Sequence, residues 1–315
     1  MLGDPTLAAR LRAQLRVPVI AGPMFIGSSP QLVIAQSMAG IVGAMPALNA
    51  RSTEALDENL AQISEALGPD RLWAINLVAH RSNTRLEADF AVIEKYKVPI
   101  VVLALSARSE LVQGVHAYGG FIFNDIISEY HARKCAEMGV DGIVAVAAGA
   151  GGHTGNVSPF ALTSEIREWW QGPLALSGCI ATGRHVLAAE AMGADFGYIG
   201  SPFLATDEAN TSVEQKEMIV ACSSRDIVIT NCFTGVNATF MRPSIEAHGL
   251  DPAAMKRPEG MAVDISGGGA DARAWRDIWS AGQGIGAVKQ AGPAAEYIEK
   301  LVGEYQAAKA ALCAR

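Results

Sequence analysis

The sequence has few cysteines, a deficit of basic residues and no long apolar run. Its five cysteines are scattered without a Cys-x-x-Cys pair, which argues against a disulfide framework or a zinc site and favours a cytoplasmic location. Lys and Arg number 25 against 32 Asp and Glu, a net charge of −7, so neither a nucleic acid nor an anionic membrane surface is expected as a partner. No run approaches the ~18 apolar residues that span a bilayer, and no signal peptide is expected.

Several well-known catalytic motifs are also missing. There is no Gly-x-Gly-x-x-Gly after a first strand, no P-loop, no Gly-x-Ser-x-Gly and no His-Glu-x-x-His. What remains is a chain of 315 residues, half of them hydrophobic, with 32 glycines and 14 prolines. Such a composition predicts a large buried core joined by many tight turns.

Eight short apolar runs alternate with helical patterns along the first 200 residues. Each run is nearly continuous in its hydrophobicity, which is typical of a parallel strand buried on both faces. The alternation predicts an α/β protein, and we favour a (β/α)8 TIM barrel over a doubly wound open sheet, which shares the same local signals. The predicted strands are Val17–Gly22, Ile41–Met45, Leu72–Leu77, Pro99–Leu103, Gly120–Phe123, Gly142–Val146, Leu174–Ser177 and Phe196–Gly200.

The regular alternation stops after the eighth strand. Residues 206–275 read as an irregular or helical insertion over the substrate site, and residues 284–312 as a closing helix. We therefore predict a barrel from residues 1–205 and 276–315, interrupted by this cap. The run Gly267-Gly268-Gly269 within the cap is expected to be a flexible turn.

Glycines follow the seventh and eighth strands, at the barrel face where active sites lie. The segments Ser177-Gly178-Cys179 and Gly200-Ser201 would expose backbone N–H groups to an anion, and a helix beginning near Thr182 would add its dipole. The sequence thus predicts a phosphate site there. The alternative is that these glycines only form tight turns.

The sixth strand is followed by the loop AAGAGGHTG. Its glycines, including Gly151 and Gly152, would let the backbone lie against a planar ligand, and His153 stands among them as a candidate acid or base. The alternative is a surface histidine. Because no lysine follows a predicted strand to form a Schiff base, FMN fits these features better than pyridoxal phosphate.

Taken in order, these motifs resemble the nitronate monooxygenase (2-nitropropane dioxygenase) family. The resemblance rests on PVIAGPM, the end of the third strand, AGAGGHTG, ALSGCIATGRHVLAAEAMGAD, YIGSPFLAT and WSAGQGIG. FMN-dependent enoyl-acyl-carrier-protein reductases share these motifs. The resemblance implies non-covalent FMN with His153 as the catalytic residue. It also implies a cofactor-binding set of Gly22, Pro23, Met24, Asn76, Asp125, Gly151, Gly152, Ser177, Gly178, Cys179, Gly200, Ser201 and Gln283.

The implied reaction is the oxidation of an alkyl nitronate or nitroalkane by O2 to a carbonyl compound and nitrite, with no metal. The chain departs from the family pattern at several positions, among them Val146, Cys179 and Asp125. Asp125 replaces a basic residue, and the loss of that cation would weaken stabilisation of an anionic reduced flavin.

Three alternatives remain open. One is an NAD(P)H-dependent FMN reductase with a quinone or enoyl thioester as acceptor, another is a flavin-binding accessory protein without turnover, and a third is a barrel that binds a sugar phosphate. The state of assembly is also open, with a homodimer as one option.

Overall fold

The computed structural model describes residues 2–257 and 275–314. The predicted turn at Gly267-Gly268-Gly269, and with it part of the predicted cap, lies outside the described residues. None of the described helices is both long and apolar enough to cross a membrane.

Eight parallel strands form a closed barrel, which confirms the predicted fold. Neighbouring strands follow the chain order, and β1 pairs with β8. Backbone bonds close the ring between β1 and β2, where Val42 N–H donates to Val19 and Ala21 N–H donates to Val42. The strands are β1 Val19–Ala21, β2 Gly43–Pro46, β3 Trp73–Val78, β4 Ile100–Ala104, β5 Phe121–Ile126, β6 Gly142–Val146, β7 Leu174–Ser177 and β8 Phe196–Ile199.

Strands β3 and β5 extend beyond their predicted ends, and this changes the setting of two candidate residues. Asn76 lies inside β3 rather than at its end, and Asn124 and Asp125 lie inside β5 rather than after it. Polar side chains at these positions interrupt the apolar pattern, but the backbone continues because it remains paired with its neighbouring strands. The side chains of Asn76 and Asp125 therefore stand on the rigid barrel wall.

Eleven described helices accompany the strands. Five of them begin at a Ser or Thr whose side chain accepts a backbone N–H three residues on, namely Ser29, Ser52, Ser128, Thr182 and Ser212. The helices are α1 Leu7–Arg12, α2 Pro30–Met38, α3 Thr53–Leu67, α4 Leu86–Lys95, α5 Ser109–Ala117, α6 Glu129–Glu137, α7 Pro159–Arg167, α8 Gly183–Ala191, α9 Val213–Ala221, α10 Arg242–Ala247 and α11 Ala294–Cys313.

The segment after β8 contains a feature that the sequence pattern did not predict. An antiparallel hairpin, β9 Ile227–Thr230 and β10 Ala238–Met241, stands between α9 and α10. Short 3-10 helices cover Ala47–Asn49, Ser201–Ala205, Ser224–Asp226 and Gln283–Ala287. The predicted closing helix therefore begins later, at Ala294.

Helix α11 packs closely on α8, and Gly183 permits that contact. A Cβ at Gly183 would overlap the backbone of Tyr305 and Leu301. The N–H of Gly183 donates to Glu304 at 3.0 Å. The two helices thus approach backbone to backbone at the start of α8.

We predict that Gly183→Ala lowers the free energy of unfolding by about 1–3 kcal/mol, because the added methyl forces α11 away from α8. Gly303→Ala on α11 is the matched control. Nothing lies within 4 Å of a Cβ there, so it should raise stability by about 0.5–1 kcal/mol through helix propensity. Urea unfolding of both variants measures the difference, and equal effects would contradict the packing described here.

Candidate active site

A cavity of about 330 Å³ opens at the carboxyl ends of the barrel strands. The candidate residues from distant parts of the sequence meet there. Those that line it are Gly22, Pro23, Met24, Asn76, Asp125, Gly151, Gly152, His153, Ser177, Gly178, Cys179, Gly200 and Ser201. Gln283 does not line it, although its neighbours Gly282 and Gly284 do.

The turns after β7 and β8 present backbone donors to this cavity. The N–H groups of Gly178, Cys179, Gly200 and Ser201 have no hydrogen-bond acceptor among the described residues. Gly178 and Cys179 have φ angles of 137° and 59°, so the backbone turns sharply after β7. Such a cluster of free N–H groups can bind an anion such as a phosphate.

The start of α8 contributes less to this cluster than expected. Its first N–H is occupied by Glu304, and the Thr182 hydroxyl accepts the N–H of His185. The helix end thus has partners of its own. An anion at this rim would therefore meet free N–H groups in the two turns rather than at the helix end.

The glycine-rich loop after β6 is fixed from two sides. On one side, Gly149 O accepts the N–H of Gln283 at 2.9 Å. On the other, Gly152 O accepts the N–H of Thr239 at 3.0 Å, and the N–H of Gly152 donates to Ser280 Oγ at 3.1 Å. The loop therefore has a defined position over the cavity, although its residues outside the strand are irregular.

Gly149 is required in this loop for two reasons. Its φ of 87° is in the left-handed region, and a Cβ there would overlap Cys179 Sγ. The loop after β6 and the turn after β7 thus touch directly. Gln283 packs behind this contact, so its role as a cofactor ligand stays a prediction and its observed role is to support the loop.

His153 is held against the hairpin. Its backbone pairs with Ala238 of β10 in an isolated antiparallel bridge. Its ring meets the ring of Trp275 edge to face, with 5.5 Å between centroids, and Trp275 in turn packs on Phe240. The imidazole is therefore oriented by aromatic contacts at the cavity wall.

Asn76 and Tyr198 form part of the deep wall. Asn76 is 9% exposed, and its side-chain NH2 group donates to Val102 O of β4 at 3.1 Å. This fixes the amide and leaves its oxygen and its second N–H for a ligand. Tyr198 lies inside the barrel, and burial raises its pKa well above the usual value, so its hydroxyl stays neutral.

Asp125 is the acidic side chain of the cavity wall. Its Oδ1 accepts the N–H of Leu105 at 3.4 Å, and no described Lys or Arg lines the cavity beside it. Burial raises the pKa of Asp125 to about 7, and the Leu105 N–H opposes that shift only weakly. A substantial fraction of Asp125 is therefore neutral near neutral pH.

Sequence reasoning missed several lining residues. Tyr198 lies within an apolar strand, whose pattern does not indicate a polar lining residue. Gln215, Trp275 and Ser280 come from segments beyond the eighth strand. The short run Ala238–Met241, all four residues of which are buried in β10, was the available signal for the hairpin. Its two strands are only four residues long, which makes that signal weak.

The family comparison matches residues 48–304, most of the barrel and its insertion, to nitronate monooxygenase. The chain belongs to the nitronate monooxygenase family. This is a family of flavin-dependent oxidoreductases, and the match confirms the resemblance noted in the sequence.

One curated relative is named for a dehydrogenase activity. A (3aS,4S,5R,7aS)-5-hydroxy-7a-methyl-1-oxo-octahydro-1H-indene-4-carboxyl-CoA dehydrogenase from Rhodococcus jostii strain RHA1 is 26% identical over 219 residues, which cover 70% of this chain and 61% of that protein. The chain spans between 36% and 64% of the length of this and two other curated relatives.

Two solved structures share the fold over almost the full length. FabK from Thermotoga maritima superposes with a TM-score of 0.80 at 23% identity, over 97% of this chain and 98% of that one. Nitroalkane oxidase from Streptomyces ansochromogenes gives 0.79 at 21% identity, over 96% and 99%. At these identities the likeness establishes the fold alone.

We predict that Asp125→Asn stabilises the chain at pH 8 relative to wild type and that this advantage disappears towards pH 4. The folded chain holds the Asp125 proton up to about pH 7, whereas an unfolded chain releases it near pH 4. Wild-type stability therefore falls as pH rises through this window, by a few kcal/mol at most.

Denaturant unfolding at intervals between pH 4 and 8 measures the effect. Asp57→Asn is the control, since Asp57 pairs with Lys95 at the surface and should show no such trend. A difference between Asp125→Asn and wild type that does not change with pH would contradict the burial of this carboxyl.

Proposed function

We propose that the chain is an FMN-dependent oxidoreductase that oxidises alkyl nitronates or nitroalkanes with O2 to a carbonyl compound and nitrite. The observation that carries the proposal is that His153 and the free N–H groups of two strand turns share one cavity. Family membership supports the reaction class. The activity proposed for the whole protein is inferred from the residues that line this cavity.

The residues around the cavity suit FMN. The free N–H groups of Gly178, Cys179, Gly200 and Ser201 would hold the phosphate, with the Ser177 hydroxyl beside them. Gly22, Pro23, Met24, Asn76, Asp125, Gly151 and Gly152 would contact the flavin. Gly200 contributes to the fit, because a Cβ there would stand 3.6 Å from Met24 Cγ and narrow the space between them.

The chemistry divides between cofactor and protein. When bound, FMN supplies electron-accepting chemistry that no side chain can provide. His153 would remove the α-proton of a neutral nitroalkane onto an imidazole nitrogen, or hydrogen-bond the nitro group of a nitronate. Trp275 and the Ala238 bridge keep that ring oriented, and the apolar wall limits access of water to the reacting carbon.

A second candidate is NAD(P)H-dependent reduction with a quinone or enoyl thioester as acceptor. It is favoured by the lack of any Lys or Arg among the described lining residues, since an anionic nitronate gains from a nearby cation. The Rhodococcus jostii relative, named as a dehydrogenase of a carboxyl-CoA compound, agrees with this alternative. Anaerobic bleaching of the bound flavin by NADH or NADPH would favour it.

We predict that His153→Gln lowers kcat/KM for a neutral nitroalkane by about 10²–10⁴-fold, the usual contribution of a positioned base. The same variant should lose far less activity with a nitronate prepared in advance, because that substrate needs no proton removed. Oxygen uptake and nitrite release measure both reactions. His131→Gln, on the exposed start of α6, is the control.

Equal losses of His153→Gln with both substrates would exclude proton removal as the role of His153. If wild-type protein with bound FMN turns over neither substrate, the nitronate reaction itself is rejected.

We further predict that FMN binds at least 100-fold more tightly than riboflavin, because only FMN carries the phosphate. Ser177→Ala should weaken FMN binding by about 10–100-fold, the effect of one hydrogen bond to a charged group, and leave riboflavin binding unchanged. Flavin fluorescence titration measures all four affinities. Cys179→Gly keeps the backbone N–H in a left-handed turn that glycine prefers, and FMN affinity should persist. Equal affinities for FMN and riboflavin would contradict the phosphate assignment.

A further inference from the structure

Asp125 is an acidic group in a position that offers it little stabilisation as an anion. It stands on the fixed backbone of β5, lines the cavity and accepts one backbone N–H, from Leu105, at 3.4 Å. No Lys or Arg of the described chain forms an ion pair with it. A partly buried carboxylate with no cation beside it and one long hydrogen bond gains little stabilisation as an anion, so this arrangement favours the neutral acid.

The elements around Asp125 supply no positive charge in its place. On the neighbouring strands, β4 ends at Ala104 beside Leu105, and β6 ends at Val146. Tyr198 of β8 and Cys135 of α6 are the titratable groups that sense the Asp125 charge, and both are neutral. Burial, with a smaller effect of Asp125, raises the pKa of Cys135 to about 12.

The other titratable groups of the cavity are His153 and Cys179. Burial raises the pKa of Cys179, so this thiol is also neutral. His153 is oriented by Trp275 and belongs to the loop after β6. Among the acidic groups of this cavity, Asp125 is thus the one that ionises near neutral pH.

Protonation changes what Asp125 can offer a ligand. As a carboxylate it only accepts hydrogen bonds and repels anions, whereas as a carboxylic acid it donates one O–H. Since Asp125 lines the cavity, an oxygen of a ligand bound there would be an acceptor for that O–H. An oxygen-rich ligand edge would bind the neutral form and disfavour the anion.

We propose that Asp125 binds the ligand of this cavity as a neutral carboxylic acid, donating its O–H to a ligand oxygen, so that ligand binding takes up one proton whenever the free chain carries Asp125 as carboxylate. This inference rests on the proposed function in taking FMN as that ligand. The step balances in atoms and charge, because the carboxylate, one proton and the ligand combine into the hydrogen-bonded carboxylic acid complex. No electron is transferred.

The proposal predicts a specific pH dependence of FMN binding. Because the pKa of Asp125 in the free chain is about 7, the Kd for FMN should rise by up to tenfold per pH unit between pH 7 and 9. The second ionisation of a phosphate monoester lies near pH 6, below this window. The FMN phosphate therefore does not produce the trend.

The experiment compares wild type, Asp125→Asn and Asp57→Asn by FMN fluorescence titration between pH 6.5 and 9. Calorimetry at pH 8 in two buffers of different ionisation enthalpy counts the protons taken up. Asn retains an N–H donor but cannot ionise, so Asp125→Asn should bind FMN with a flat pH profile and no proton uptake. Asp57→Asn should match wild type, with close to one proton taken up.

A pH slope that persists in Asp125→Asn, or its absence from wild type, would overturn the inference while leaving FMN binding intact. Infrared difference spectra of wild type minus Asp125→Asn, recorded without FMN, test the protonation state of Asp125 separately from the proposed function. If FMN binds at no pH, the flavin proposal fails. A carboxylic acid C=O band at pH 6 then still supports Asp125 as a neutral donor, and a carboxylate spectrum at that pH overturns it.

Discussion

The backbone donors left over where β7 and β8 end are the constraint on which this account depends. A parallel barrel uses its strand N–H groups in pairing between strands, but the turns after β7 and β8 leave the N–H groups of Gly178, Cys179, Gly200 and Ser201 without protein acceptors in the described chain. Polar backbone groups at the edge of a core require partners. Four of them belong to residues that line one cavity, an arrangement that favours an anionic ligand there.

The other parts of the site lie around these four N–H groups. Contact between Gly149 and Cys179 ties the loop after β6 to the turn after β7, and the Gln283 N–H supports this junction by donating to Gly149 O. The Gly282 N–H donates to Ser201 Oγ in the turn after β8. The hairpin after β8 fixes the other end of the same loop, and with it His153. A ligand whose anionic end occupies the turns would therefore extend beneath an imidazole with a defined orientation, over a wall that includes Asn76 and Asp125.

Much of this arrangement could be predicted from the sequence, because parallel strands buried on both faces are nearly continuous apolar runs and their carboxyl ends meet at one face. That logic places Gly22, Ser177 and Gly200 at one face of the barrel from the sequence alone. It could not show that β5 continues through Asp125, since polar residues interrupt the pattern while the backbone pairing persists. Nor could it show the hairpin, whose strands are short, or the contact of Trp275 with His153 across more than a hundred residues.

The ionisation of Asp125 was likewise beyond the sequence, which shows that an acid replaces a cation but does not show how the barrel wall surrounds its carboxyl group. The account as a whole is tested most directly by a crystal structure of the chain with FMN. It predicts the phosphate within hydrogen-bonding distance of the N–H groups of Gly178, Cys179, Gly200 and Ser201, with the flavin ring between Met24 and the loop that carries His153. A phosphate bound elsewhere, with these four N–H groups facing only solvent, would contradict it.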